Sequence, residues 1–182
     1  VVVKNVTTTS SMFEGCTNLT SVALFDTSSV AVMRNMFFNC TSITTLPDFD
    51  TSRCWDFGQM FYGCSSLLAC PNISTTYRSQ STTLTVNRMF ELCTSLASVP
   101  LLDLNGATNT SNMFSGCIAL TSVPLFDLST VTNASGMFKG CSFVTVTLFN
   151  TASVVTASWM FHHCTSLTTV PLLNTSSLVH AQ

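Results

Sequence analysis

Charge is what this sequence has least of. Of its 182 residues six are Lys or Arg and eight are Asp or Glu, 8% in all, against roughly 25% in an average soluble domain. The net charge of −2 leaves no basic footprint for a nucleic-acid binder and no polybasic segment for a membrane surface. Long apolar runs are missing too. Nothing approaches the roughly 18 residues of a transmembrane helix, and Val1 opens with no signal-peptide pattern, so any targeting segment is expected outside these residues. The chain also lacks a Gly-x-Ser-x-Gly elbow, a glycine-rich phosphate loop and any Cys-x-x-Cys spacing. Solubility must come from uncharged polar groups, and 25 Ser and 29 Thr supply them, 54 residues of 182.

What is present in abundance is repetition. The signature Met-Phe-x-x-Cys occurs seven times, ending at Cys16, Cys40, Cys64, Cys93, Cys117, Cys141 and Cys164, at spacings of 24, 24, 29, 24, 24 and 23. A full unit runs from Met113 to Gly136: Met-Phe-x-Gly-Cys-x-x-Leu-Thr-Ser-Val-Pro-Leu-Phe-Asp, then Asp-x-Ser turn chemistry and a Val/Thr-rich stretch. A period of 24 is leucine-rich-repeat sized and too short for helical pairs. Cys117, Leu120, Val123 and Leu125 carry the spacing L-x-x-V-x-L of a repeat strand, and Leu19, Val22 and Leu24 repeat it. The rest has no helical stripe and is rich in β-branched residues, which predicts a bend at Asp-x-Ser and a short helical or irregular turn at Met-Phe. No single unit buries its own apolar side chains. The expected fold is therefore a leucine-rich-repeat solenoid over 1–182, β-rich with short helical or irregular turns, one domain of about seven coils of 24 residues stacked some 4.8 Å apart.

These motifs resemble the BspA-like group of leucine-rich repeats, in the variant common in mycoplasma-type bacterial surface lipoproteins. The fingerprint Met-Phe-x-Gly-Cys-x-x-Leu-Thr-Ser-Val-Pro-Leu-Phe-Asp covers essentially the whole chain. The resemblance implies an adhesion or host-interaction module of a secreted or cell-surface protein; similar arrays occur in protists and on virus or phage particles.

Nine cysteines, an odd number, cannot all pair within the chain. Seven occupy the signature position, Cys70 replaces the Val of Val22, Val99, Val123 and Val170, and Cys54 replaces that of Val30, Val131 and Val154. All nine are expected as small buried hydrophobes, with no metal bound. A second column reads Asp26, Asp50, Ser74, Asp103, Asp127, Asn150 and Asn174. Carboxylates about 5 Å apart could gather calcium, whereas exchange with Ser and Asn points to Asx-turns accepting backbone N–H bonds. The adjacent His162 and His163 share neither a helix face nor a strand face and make a poor metal pair. Seven Asn-x-Ser/Thr sequons, from Asn5 to Asn174, arise readily in so Ser/Thr-rich a chain, and a glycan at Asn39 beside Cys40 would be awkward.

Discrimination must then come from the variable positions. Arg34, Phe38, Arg53, Trp55, Phe57 and Tyr62 enrich the second and third units in interface-type side chains, although Phe38 and Phe57 could equally cover loosely packed convex edges. The long interval puts an insertion at 75–81, expected as a projecting loop with Tyr77 and Arg78 as contacts. Neither end carries a distinct polar cap, so more protein or a neighbouring subunit is expected over at least one. The sequence thus predicts a non-enzymatic, cofactor-free binding or adhesion module. It would be extracellular, on a cell or virion surface, and recognise protein or glycan through variable positions and the 75–81 loop. The alternative is a structural block or spacer of a surface appendage or fibre, stacking on copies of itself or on neighbouring subunits.

Overall fold

Seven six-residue turns, at 10–15, 34–39, 58–63, 87–92, 111–116, 135–140 and 158–163, each carry one Met-Phe pair. The computed structural model describes residues 6–75, 83–143, 145–146, 149–170 and 172–180. Within a turn, successive amides alternate between two tasks. In the first, the N–H groups of Met12, Glu14 and Cys16 donate three residues back, to the carbonyls of Thr9, Ser11 and Phe13, each at 3.1 Å. Those of Thr9, Ser11, Phe13 and Gly15 instead reach the next unit, donating to Val32, Arg34, Met36 and Phe38 at 2.7–3.0 Å. The bonds from Phe90 to Met113 and from Phe114 to Met137, both 2.9 Å, continue the second set. Consecutive donors are thereby satisfied without a helix or a strand.

This alternation depends on two left-handed residues per turn. The residue before each Met has positive φ, from Ser11 at 56° to Trp159 at 59°, and so does the residue before each Cys, from Gly15 at 72° to His163 at 58°. Gly occupies five of these fourteen positions and Asn three, the two residue types that accept this region at least cost.

Isolated parallel bridges join the units four residues ahead of each Met: Thr8 to Val32, Val32 to Asp56, Asp56 to Thr85, Asn109 to Asn133, Asn133 to Thr156 and Thr156 to His180. Among the described residues no continuous strand forms, so the expected β-rich character is corrected to a stack of turns and single bridges. The L-x-x-V-x-L segment is corrected as well. Leu120 and Val123 are buried, but Leu24, Leu101, Leu125 and Leu172 are 64%, 67%, 61% and 91% exposed. The inward side chain is the next one: Phe126 and Leu102 are buried and Phe25 packs on the core.

The core is built on one ladder of rings. Phe13, Phe37, Phe61, Phe90, Phe114, Phe138 and Phe161 stack in succession at centroid separations of 5.3–5.9 Å, no pair more than 18° from parallel. Parallel rings that far apart are offset stacks, each worth about 0.5–1.5 kcal/mol beyond area burial. Phe126 and Phe149 lie against this ladder at 5.8 and 5.4 Å.

Beside the rings, buried threonines act across the units: Thr27, Thr51 and Thr151 donate Oγ1 to the carbonyls of Asp50, Ser74 and Asn174 at 2.8, 3.2 and 2.9 Å.

The cysteines form a third column, with a role beyond filling space. The thiols of Cys40, Cys64, Cys93, Cys117, Cys141 and Cys164 donate to the carbonyls of Phe13, Phe37, Phe61, Phe90, Phe114 and Phe138 in the preceding unit, at 3.0–3.2 Å. Each such carbonyl already accepts one amide, for example Cys117 N–H on Phe114 at 3.1 Å, and the thiol takes its second lone pair. Cys16 departs from the expected burial, being exposed, and Cys70 is half-buried.

Burial pushes the Cys40 thiol up to about 11 and those of Cys54 and Cys117 up to about 12. An unfolded thiol titrates near 8.5, so the fold favours the protonated form. The stability this lends is complete below about pH 8.5 and is lost as pH rises through about 11 to 12. Thermal melts followed by circular dichroism should therefore hold level from about pH 6 to 8 and fall steeply above about pH 9, with a smaller fall in Cys117→Val. Identical profiles for the two proteins would assign the alkaline loss to other groups.

Candidate functional site

The six-residue turns are where the repeat varies most in chemistry. At the position after Met-Phe the successive residues are Glu14, Phe38, Tyr62, Glu91, Ser115, Lys139 and His162; at the position before Met they are Ser11, Asn35, Gln59, Arg88, Asn112, Gly136 and Trp159. Because the turns stack in register, these columns form one face on which the side chains of neighbouring units meet.

In the second and third turns Phe38 and Tyr62 stack with centroids 4.6 Å apart and planes 5° from parallel, both rings half-buried. Arg34 belongs to the same turn as Phe38. Its Nε donates to Asp56 Oδ2 at 3.0 Å, while Asp56 Oδ1 accepts the Gly58 N–H at 2.9 Å. The guanidinium rests over Gly58, where a Cβ would meet its Cζ and Nη atoms at 2.9–3.0 Å. Any larger residue there would push that plate aside. A buried carboxylate thus holds a half-exposed guanidinium in the turn that carries Phe38, and its Nη groups are further donors.

Phe38 and Tyr62 are brought together, and Arg34 is placed in the turn that carries Phe38. Arg53 and Trp55 are not: they lie on the segment leading into turn 58–63, Arg53 exposed and Trp55 half-buried. Phe57 is a correction. It is fully buried, because its column (Thr9, Met33, Phe57, Val86, Thr110, Ala134) varies in volume but faces the core. Tyr77 and Arg78, with all but Thr75 of the 75–81 insertion, lie outside the described residues.

Two further groups on this face were missed. Arg88 Nε approaches Glu91 Oε2 at 3.6 Å, and that oxygen is buried without a hydrogen-bond partner. Burial pushes the Glu91 carboxyl up, against the attraction of Arg88 and Lys139. At the far end Lys139 Nζ stands 5.6 Å over the Trp159 ring, and the His162 and His163 rings meet edge to face at 3.9 Å. Partial desolvation, His163 and Lys139 together hold the His162 imidazole below its usual range. The only advance signal was the period itself, which places residues 24 apart side by side.

The aspartate row is built of Asx-turns. Asp26, Asp50, Asp103 and Asp127 each accept the N–H two residues on through Oδ1, at 2.9–3.0 Å, and Asn150 and Asn174 do the same at 3.3 and 3.0 Å. Among the described residues no group of three or more His, Cys, Asp or Glu is placed to hold a metal ion.

Comparison with known proteins agrees with this architecture. A family described as "Mycoplasma protein of unknown function, DUF285" matches residues 2–101 and again 82–181. A leucine-rich cell surface protein of Faecalibacterium prausnitzii, known from its crystal structure, superposes with a TM-score of 0.60 at 24% identity, covering 86% of this chain and 39% of that one. A likeness at that identity speaks to the fold, a leucine-rich type of repeat. No curated protein matches the sequence.

Proposed function

The chain belongs to the DUF285 family of mycoplasma repeat proteins, and from that premise we propose that it is a surface-exposed, non-enzymatic recognition module of about seven coils. It binds a protein or glycan partner through the turn face centred on Arg34, Phe38 and Tyr62. The observation that carries this reading is the Phe38–Tyr62 stack, 4.6 Å between centroids, on a face whose other units place Glu, Ser, Lys or His at the same position. A half-exposed ring pair, with an anchored guanidinium in the same turn as one of its rings, has the side-chain types of an interface hot spot: rigid apolar area at little entropic cost, and planar donors. The cell-surface assignment of the Faecalibacterium protein supports the placement.

The test compares the wild-type chain with Phe38→Ser/Tyr62→Ser for retention on cultured epithelial cells, and on arrays of extracellular-matrix proteins and glycans. Binding should fall by about tenfold or more while the far-ultraviolet spectrum is unchanged. Equal retention by both proteins would move recognition off this face. Concentration-dependent assembly in light scattering, with no binding to any array, would favour a structural spacer.

A further inference from the structure

Half a coil beyond the Met-Phe turns the chain makes a tight four-residue turn, closed by the N–H of its last residue on the carbonyl of its first. The pairs are Val30 on Thr27, Cys54 on Thr51, Val131 on Leu128, Val154 on Thr151 and Leu178 on Thr175, at 2.8–3.1 Å. The fourth unit closes its turn too, Ala107 on Leu104 at 2.9 Å, but by a different backbone route. Its third residue, Gly106, has a φ of +83°, the left-handed value that a type II turn asks of that position, whereas Ser29, Arg53, Thr130, Ser153 and Ser177 in the same place keep negative φ. The second residue of this turn is Asn105. It is exposed, and of the twelve asparagines in the chain it alone precedes a glycine. Thr130 of the next unit fastens the turn. Its Oγ1 accepts the Gly106 N–H at 3.0 Å and donates to the Ala107 carbonyl at 3.1 Å, while Asp103 Oδ1 accepts the Asn105 N–H at 3.0 Å.

An asparagine followed by glycine can close a ring on its own backbone. The Gly106 amide nitrogen, once its proton has passed to a solvent base, attacks Asn105 Cγ. The N–Cγ bond forms, the Cγ–Nδ2 bond breaks, and ammonia leaves with a proton taken from water. Water then opens the resulting succinimide, at Cγ to give aspartate, or at the main-chain carbonyl to give isoaspartate, in which the chain runs through Cβ and Cγ. A side chain on the following residue crowds that attack, and glycine has none. Against it stands the Thr130 bond: an amide whose proton is engaged by another unit gives that proton up less readily and is not free to swing onto Cγ. We propose that Asn105 is a site of spontaneous deamidation and isoaspartate formation, and that Thr130 sets its rate by holding the Gly106 N–H. Isoaspartate lengthens the backbone of the turn, which opens the Ala107 to Leu104 bond and the parallel bridge from Ala107 back to Leu84, on the far side of which lies the insertion. The site occupies a different part of the coil from the Met-Phe turn face and does not depend on it.

The test incubates the 1–182 chain at body temperature and mildly alkaline pH, then maps its peptides by mass spectrometry, with enzymatic methylation to tell isoaspartate from aspartate. Product should accumulate at Asn105 ahead of every other asparagine. Thr130→Val keeps the shape of the side chain and removes its hydroxyl; it should raise the rate about fivefold or more, the worth of one hydrogen bond, while Thr130→Ser should react as the wild type does. A synthetic peptide of residues 102–108 lacks Thr130 altogether and should react faster than the folded chain, which keeps the proposal testable if Thr130→Val unfolds. Phe38→Ser/Tyr62→Ser should deamidate at the wild-type rate, so this result stays distinct from that of the turn face. Product at Asn105 no greater than at another asparagine, equal rates in wild type and a Thr130→Val protein of unchanged far-ultraviolet spectrum, or equal rates in folded chain and peptide would overturn the proposal.

Discussion

Phe114→Ala is expected to cost about 3–5 kcal/mol, the range for truncating a buried aromatic. The Phe114 ring is fully buried and makes three ring contacts: Phe90 at 5.5 Å and 3°, Phe138 at 5.8 Å and 2°, and Phe126 at 5.8 Å and 7°. The cavity left by alanine cannot close, because neighbouring units are held apart by backbone bonds such as Phe114 N–H to Met137 at 2.9 Å. For a chain of this length the melting temperature should drop by about 6–20 °C. Hydrogen exchange should accelerate around residues 90–138 more than elsewhere, since each unit contacts only its neighbours. Phe38→Ala on the half-exposed stack should cost far less, and equal melting losses for the two would refute the division between framework and surface.

The second large effect is expected at Gly63. Its φ is +70°, and a Cβ there would collide with Oδ1 of Asn39, the equivalent residue of the preceding turn. Gly63→Val adds a left-handed β-branched residue, about 1–2 kcal/mol, and must also displace the exposed Asn39 side chain, so about 2 kcal/mol is expected by urea denaturation. Gly15→Val separates the two terms. Gly15 has nearly the same φ, +72°, with nothing within 4 Å of its would-be Cβ, so it should show the backbone cost alone. If both substitutions cost the same, Asn39 is moving aside without penalty.

The period, the turn at each Met-Phe and the packing role of most cysteines were legible from sequence because seven copies vote on each position. The Asx-turns were legible because their bonds close within two residues. What failed has physical reasons. In Leu125-Phe126 both residues are apolar, and a pattern cannot say which points inward; the ring does, because it extends a ladder of rings. Phe57 looked like a surface residue because its column varies, yet that variation is of volume inside the core. The thiol-to-carbonyl bonds could not be read at all, since they depend on a distance of about 3 Å between units. On the turn face, Arg34, Phe38 and Tyr62 were found as residue types in a variable stretch, whereas their stacking and the Asp56 anchor are products of register.

Register itself is the feature with the widest consequence. Six nearly identical steps of ring on ring and thiol on carbonyl would fit almost as well if one unit slid past its proper partner to the next. The cross-unit pairs that occur once break this degeneracy: Arg34 with Asp56 at 3.0 Å, and Asn72 with both oxygens of Asp48 at 2.7–2.8 Å. A mispaired stack would strand the Asp56 carboxylate without its guanidinium. The few charges this chain possesses thus act as a key to its folding order, and whole units such as Met113–Gly136, which carry no such pair, are the ones that duplication or deletion could add or remove while the remaining joints still close.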